Sequence, residues 1–522
     1  MTRRRLTTWG ALLGLLVLGA LLIFPNLGNR YLWEDEAETA LLARNVLRFG
    51  QPVAFDGVHL ISQECGVDSD ARYVWRQTGW LPIYVTATSF VWLGESTLSA
   101  RLPFALLGIF APLSLYALAR RCYADRVIAW MAALSLLASV PFLLHVRQAR
   151  YYSVVIIATI WILYLGLSVI ERRRFAEAGL VIALTVLLQS TSFVSAAVLA
   201  GLAAGALAMR VGRGGLLRLA AAVAVALLIN LPLLMTGGFG HRIAMMIGVP
   251  TPAGIASRLT AFLIESELHA FPAVLFGVAL AIGHVLSRRA PVGDSTPAEN
   301  RVTRFLLVFT VAYLLVVACG PFGFFRYLLG LLPVFALLQG RLLVWLWVRQ
   351  RVLALAVALL AVVPDRSELL EGSLAAPLGR YVREITHDVD GPIKGLVRHL
   401  KLHARPGDRV FITYGDLPLR FYTNLDIRGG QACEDLSRWP EPDWVVVRYF
   451  FRFRAAGPRW AEDEAWTKRY LAALPPQHYR RAELDVADTI WDNIPDPALH
   501  AWDPAAYRMR LTVYEKVRAS AP

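Results

Sequence analysis

The sequence predicts an α-helical polytopic membrane protein of about eleven transmembrane helices, with a C-terminal extracytoplasmic α/β domain. Three observations carry this. Hydrophobic residues make up 56% of the 522 residues and charged residues only 18%, against roughly 45–50% and about 25% in an ordinary soluble domain. Mean hydropathy is +0.49. Long apolar runs alternate with short arginine clusters, and beyond Asp365 the composition turns charged and proline-rich. A disordered chain is excluded, and a wholly soluble enzyme does not fit. The net charge of +14 lies in loops between apolar runs, the pattern of cytoplasmic loops in a multispanning protein rather than of a nucleic-acid-binding face. The four cysteines, Cys65, Cys122, Cys319 and Cys433, form no CxxC pair. Neither a disulfide framework nor a thiolate zinc site is indicated, although Cys65 and Cys433 share the outer side and their pairing is left open.

A spanning helix needs about 20 apolar residues to cross a core roughly 30 Å thick. The first run, 6–24, follows Arg3, Arg4 and Arg5 and has no A-x-A-like cleavage site behind it. It reads as a retained helix with a cytoplasmic N-terminus. Further runs lie near 99–119, 127–144, 153–170, 178–190, 192–209, 215–235, 271–287, 303–319, 327–347 and 352–363. Residues 178–209 are too long for one span, and Gln189-Ser190-Thr191-Ser192 is a polar break, so a hairpin is expected. The arginines of the loops near 120, 172, 210, 288 and 349 then fall on the side of Arg3. That is the positive-inside rule, and it places the chain outside from about 364. The expected domains are 1–363, with a large first outer loop at 28–98, and 364–522. A second outer segment, 237–270, holds Gly237-Gly238-Phe239-Gly240 and an amphipathic stretch from Ile255 to His269. In the tail, 409–414 and 444–449 are strand candidates and 391–403 a helix candidate.

The first outer loop opens with Trp33-Glu34-Asp35-Glu36-Ala37-Glu38, four carboxylates in five residues beside the membrane. They repel one another unless something uses them. The bland reading is a solvated acidic start to a helix from Ala37. A second outward segment, His145-Val-Arg147-Gln-Ala-Arg150-Tyr151-Tyr152, carries positive charge where topology disfavours it. Arg326 begins a span on the same side. Arginine keeps its charge and binds phosphate bidentately, so the three suggest an anionic head group; snorkelling to phospholipid phosphates is the alternative.

Together these segments resemble the GT-C glycosyltransferases, especially bacterial aminoarabinose transferases and protein O-mannosyltransferases. The resemblance runs through Asp35-Glu36, the stretch 40–52, Trp80-Leu-Pro-Ile-Tyr84, Gly94-Glu95-Ser96, Ala100-Arg-Leu-Pro103, Arg147-Gln-Ala-Arg-Tyr-Tyr-Ser153 and Arg326-Tyr-Leu-Leu-Gly-Leu-Leu-Pro333, in order over roughly 1–350. It implies a GT-C fold and transfer of a sugar from a polyprenyl-phosphate donor on the outer face of a bacterial inner membrane. By the resemblance Asp35 is the base, with Glu36 beside it, and Arg147, Arg150 and Arg326 bind the donor phosphate. Tyr151, Trp33, His59 and His241 are further substrate-binding candidates. The chain departs from aminoarabinose transferases at Trp75-Arg76-Gln77-Thr78-Gly79-Trp80-Leu81-Pro82, where they carry a lysine motif. It departs again at Tyr151-Tyr152, where they have an acidic residue. The acceptor is therefore open between lipid, glycan and protein.

The chemistry agrees. A polyprenyl phosphate leaves as a stable anion, so the reaction needs positive charge at the phosphate and one base for the acceptor. Asp35 and Glu36 alone make an incomplete metal site, so no metal ligands are assigned, and a role for Mg or Mn is left open. Weaker candidates are Asp56, Asp68 and Asp70 in the first loop, Arg242 beside His241, and Glu265, Glu267 and His269, which an amphipathic helix explains equally well. A transporter of lipid-linked glycans is the rival reading; it would place ionisable groups inside the spans, where almost none occur.

Overall fold

A computed structural model describes residues 3–236, 251–286, 296–320, 323–362, 377–448, 458–489 and 492–517. The chain forms two compact units, Met1–Pro25 with Phe104–Thr386, and Asn26–Pro103 with His387–Pro522. In chain order the helices through the apolar region are α1 (Arg3–Ile23), α2 (Glu34–Phe49), α3 (Leu81–Leu93), α4 (Thr97–Tyr123), α5 (Arg126–Leu137), α6 (Val140–Val146), α7 (Tyr152–Ile170), α8 (Ala176–Leu188), α9 (Ser192–Ala208), α10 (Arg213–Ile229) and α11 (Leu231–Thr236). They continue with α12 (Pro252–Glu265), α13 (Ala273–Leu286), α14 (Pro297–Ala318), α15 (Leu332–Arg349) and α16 (Arg351–Val362).

Each apolar run read from the sequence is helical. Among the described residues, four helical stretches are long and apolar enough to cross a membrane, Thr97–Tyr123, Tyr152–Ile170, Pro297–Ala318 and Phe325–Arg349, and two more qualify as bent pairs. The pair α5–α6 bends by 63°, where Ser139 caps the second half and Pro141 removes a backbone donor. The pair made by Pro252–Ala270 and α13 bends by 67° at a break before Pro272. The stretch Ile255 to His269 lies within α12 and the turn Ser266–Ala270 that follows it, the first half of this bent pair. The polar break at Gln189 separates α8 from α9. Gln189 donates to the Asn230 side-chain oxygen at 2.8 Å and Asn230 to Thr185 at 3.2 Å, a polar clamp of the kind that ties helices together where no water competes. In α9, Gly201 and Gly205 face Phe309 and Phe305 of α14; a Cβ at either glycine would come within 2.7 and 2.6 Å of those rings. The spacing is the small-xxx-small pattern that lets apolar helices approach.

The second unit joins residues 26–103 to the tail from His387. The first unit ends with α17 (Pro377–Thr386), and the second unit's remaining helices are α18 (Pro392–His403), α19 (Asp416–Tyr422) and α20 (Pro458–Ala473). Its strands are β1 (Arg409–Ile412), β2 (Asp426–Gly429), β3 (Trp444–Val446), β4 (Tyr479–Ala487) and β5 (Arg510–Lys516), in the order β2-β1-β3-β5-β4. β1 runs parallel to β2 and β3, while β5 is antiparallel to β3 and β4. Alternation along β1 sends Val410 and Ile412 to a core under Ile393, Leu396 and Leu400 of α18. It sends Phe411 to the other face with Trp466 and Tyr470 of α20. Both strand candidates and the helix candidate of the tail are present, with Tyr449 outside the described residues. The loop 28–98 is not irregular throughout: it contains α2 and α3.

Candidate functional site

The acidic motif is not a solvated helix start. The helix begins at Glu34 rather than Ala37, and Glu34, Asp35, Glu36 and Glu38 are all buried, Asp35 the most exposed of them at 8%. Trp33, also buried, is the extended N-cap residue and offers no side-chain cap. Carboxylates in the first turn are favoured by the unpaired N–H groups of the helix end, but burial at this density requires specific partners. Glu36 has one: Arg101 donates to its two oxygens at 2.8 and 2.6 Å. The same guanidinium donates to the carbonyls of Leu27, Arg30 and Tyr31 at 2.9, 2.7 and 3.3 Å. Arg101 thereby fixes both the chain leading into α2 and its third residue. Glu38 accepts from Gln63 at 2.7 Å. Arg101 stood in the sequence only as part of a motif, and nothing local marked it as the partner of Glu36, 65 residues away.

His59 lies in the same unit, hydrogen-bonded to Asp426 at 3.0 Å and to Asp56 at 3.4 Å. Burial works against the charged imidazole, yet the bonds to Asp426 and Asp56 outweigh it and raise its pKa above the usual value. Both carboxylates are held well below theirs. Burial is opposed at Asp56 by the His59 ring and the His59 and Val58 N–H groups, and at Asp426 by His59, Trp439 and Arg428. Around this triad residues 59–65 are tied to the tail. Leu60 N–H donates to Glu434 at 2.8 Å, Arg420 donates to the Leu60 carbonyl at 2.6 Å, and Cys65 is disulfide-bonded to Cys433. The pairing left open by the sequence is thus present. Because the His59 pKa is raised by folding, its contribution to stability is complete below the ordinary histidine range and lost as pH rises through the raised value. Thermal unfolding of the full chain between pH 6 and 9 should show this loss, and His59→Gln should flatten the curve; a parent-like slope in His59→Gln would assign the dependence elsewhere. Asp68 and Asp70 organise turns. Asp68 accepts from Ser62 and from the Gln63 and Glu64 N–H groups, and Asp70 pairs with Arg76 at 2.6 Å.

Arg147, Arg150 and Arg326 belong to the first unit. Arg147 and Arg150 do not share a helical face, because α6 ends at Val146 and the chain turns through Gln148 before α7. Arg147 donates to the carbonyls of Ile23 and Pro25 at 2.5 and 2.9 Å and lies over the Tyr381 ring. It closes the C-terminal end of α1, a role suited to a cation. Arg150, 7% exposed, lies over the ring of Tyr151, and Arg326 over Phe324 at 4.4 Å. The His145 ring packs 5.8 Å from Phe325, which brings the Arg147–Arg150 turn beside the 3-10 segment Phe325–Leu331 that carries Arg326. His269 also packs against Phe325, edge to face at 6.3 Å, and pairs with Glu265 at 3.6 Å. Guanidinium groups laid on aromatic faces keep their charge and their planar forks. His241 and Arg242 lie outside the described residues.

The donor set of the acidic motif does not fit a divalent cation. Both Glu36 oxygens are engaged by Arg101, and among the described residues no group of three His, Cys, Asp or Glu is placed to hold a metal.

No family model and no curated protein matches the sequence. Among solved structures, the archaeal oligosaccharyltransferase AglB from Archaeoglobus fulgidus, in complex with an inhibitory peptide and a dolichol-phosphate, is similar at a TM-score of 0.47 and 14% identity, covering 85% of this chain and 70% of that one. ArnT from Cupriavidus metallidurans bound to undecaprenyl phosphate is similar at a TM-score of 0.60 and 15% identity, over 98% of this chain and 99% of that one. This chain thus shares its fold with that protein almost end to end.

Proposed function

We propose that the protein is a membrane glycosyltransferase that moves a sugar from a polyprenyl-phosphate donor to an acceptor on the extracytoplasmic face. The observation that carries this reading is the fold shared over nearly the full length of both chains with ArnT, a protein described with undecaprenyl phosphate bound. Placement outside the cytoplasm is supported by the Cys65–Cys433 disulfide, since such bonds persist in oxidising compartments.

In this reading the departing polyprenyl phosphate needs no protonation, because a phosphate monoester with a second pKa near 6 is a stable anion. Its charge is met by the guanidinium groups of Arg150 and Arg326. Arg147 holds the end of α1 and contributes its remaining N–H groups. Asp35 takes the proton of the acceptor as the sugar carbon is attacked. Glu36, locked by Arg101, keeps the first turn of α2 in place and is a positioning group rather than a second base. Tyr151 supports Arg150, and Trp33 sets the entry to the helix.

Incubating the purified full chain with a polyprenyl-phosphate sugar tests the reading: free polyprenyl phosphate should appear only when an acceptor is supplied. Direct binding tests the phosphate site. Arg150→Lys and Arg326→Lys should each weaken binding of undecaprenyl phosphate about tenfold, or ~1.4 kcal/mol, because the bidentate fork is lost. Arg147→Lys should chiefly lower the melting temperature. If Arg150→Lys and Arg326→Lys bind the lipid like the parent, the phosphate is held elsewhere.

A further inference from the structure

Glu34 has no part in the chemistry above, yet it is among the most enclosed charged residues of its unit. It is 2% exposed, and Asp416, at the first turn of α19, is completely buried. Their carboxyl groups lie within hydrogen-bonding reach of each other. The Leu417 N–H faces Glu34, but among the described residues no nitrogen or hydroxyl donor completes a full hydrogen bond to either carboxyl group. Arg420, one turn along α19, stands 3.2 Å from Asp416 and 3.9 Å from Glu434, and Arg428 pairs with Glu434 at 3.3 Å. Arg420 is also committed to the carbonyls of Ile427 and Leu60. Gly430, in the left-handed region at φ +61°, packs against Asp416; a Cβ there would overlap its carboxylate. Among the described residues, Arg420 is the cation paired with Asp416, and it is divided between Asp416, Glu434 and two carbonyls.

We propose that Glu34 and Asp416 share one proton at neutral pH, and that this carboxyl–carboxylate hydrogen bond is a positioning element that fixes the first turn of α2 and hence Asp35. The proton supplies a donor between the two buried carboxylates and removes one of their charges. Glu34 and Glu36 then anchor Asp35 from both sides, one through Asp416 and the other through Arg101. Burial raises both titrations above the ordinary carboxylate range, joined at Glu34 by repulsion from Asp416 and at Asp416 by repulsion from Glu434, while Arg420 opposes both shifts and the Glu34 hydrogen bond lowers that of Asp416. The sign follows: the contribution to stability is complete below the ordinary range and lost as pH climbs through the raised value. Loss of the proton leaves two adjacent buried anions, and the turn carrying Asp35 loosens.

What this says about turnover rests on the glycosyltransferase reading; the shared proton does not. Two measurements on the full chain in detergent separate them. The first uses no substrate. The parent at pH 7 should show the infrared carbonyl stretch of a protonated, buried carboxylic acid, lost in Glu34→Gln, and its melting temperature should fall with rising pH more steeply than that of Glu34→Gln or Asp416→Asn. Absence of that stretch from the parent, or an unchanged slope in both variants, would overturn the shared proton. The second follows sugar transfer against pH. Glu34→Gln and Asp416→Asn each mimic a neutral partner, so both should retain transfer and move its alkaline limb upward by about one pH unit or more. An unmoved limb in both variants would overturn the positioning role. A parent that shows the carbonyl signal but transfers no sugar would overturn the enzymatic reading and leave the proton in place.

Discussion

Asp35→Asn is expected to lower the rate of sugar transfer by about 10²–10⁴-fold while leaving donor binding unchanged. Asparagine keeps the size of the side chain and its place on the first turn of α2 but cannot accept the acceptor's proton. Donor binding is assigned to Arg150 and Arg326, which the substitution does not touch. The contrast with its neighbours sharpens the expectation. Glu38→Gln keeps a hydrogen-bonding partner for Gln63, which now approaches at 2.7 Å, and Glu34→Gln keeps one for Asp416. Both should transfer sugar within about tenfold of the parent at pH 7, an effect smaller than loss of a general base. Single-turnover rates with saturating polyprenyl-phosphate sugar check this directly. Parent-like transfer by Asp35→Asn would remove Asp35 from the mechanism.

Arg101→Ala should have the largest effect on stability. The Glu36–Arg101 pair is almost wholly enclosed, with side-chain exposures of 0% and 3%. Removing one partner of a buried pair leaves an uncompensated charge and costs about 3–5 kcal/mol. Here the guanidinium also satisfies three backbone carbonyls between Leu27 and Tyr31, so the chain entering α2 loses its anchor as well. The expected outcome is a marked fall in melting temperature. Arg101→Lys should recover only part of the loss, since an ammonium cannot bind both Glu36 oxygens and the carbonyls at once. Glu36→Gln also leaves a buried charge unmatched, on Arg101, but should be milder than Arg101→Ala because the amide oxygen still accepts from the guanidinium, which keeps its three carbonyl partners. Equal melting of Arg101→Ala and the parent would show that the pair contributes nothing.

Much of the fold was legible in the sequence because its determinants are local. Twenty apolar residues and the charges that flank them are contiguous in the chain, and every run so identified is helical. The polar break at Gln189 and the alternating tail strands are equally short-range signals. The acidic motif and the arginines Arg147, Arg150 and Arg326 also stood out as charges clustered beside long apolar runs. What tertiary structure decided is which of those charges meet, and whether water reaches them. Ala37 looked like the helix start because Glu34 to Glu36 are ordinary solvated first-turn residues by composition. Instead Arg101 and Asp416 enclose them, and the helix extends back to Glu34. Arg147 and Arg150 are three residues apart but serve different neighbours, since the turn at Gln148 breaks the helical spacing that would have aligned them. The partners of the first outer loop lie more than 350 residues away, as with His59 and Asp426 or Cys65 and Cys433. No periodicity or spacing encodes such a pairing. It arises only when the tail's sheet has folded and offers the loop a surface on which its buried charges can be matched.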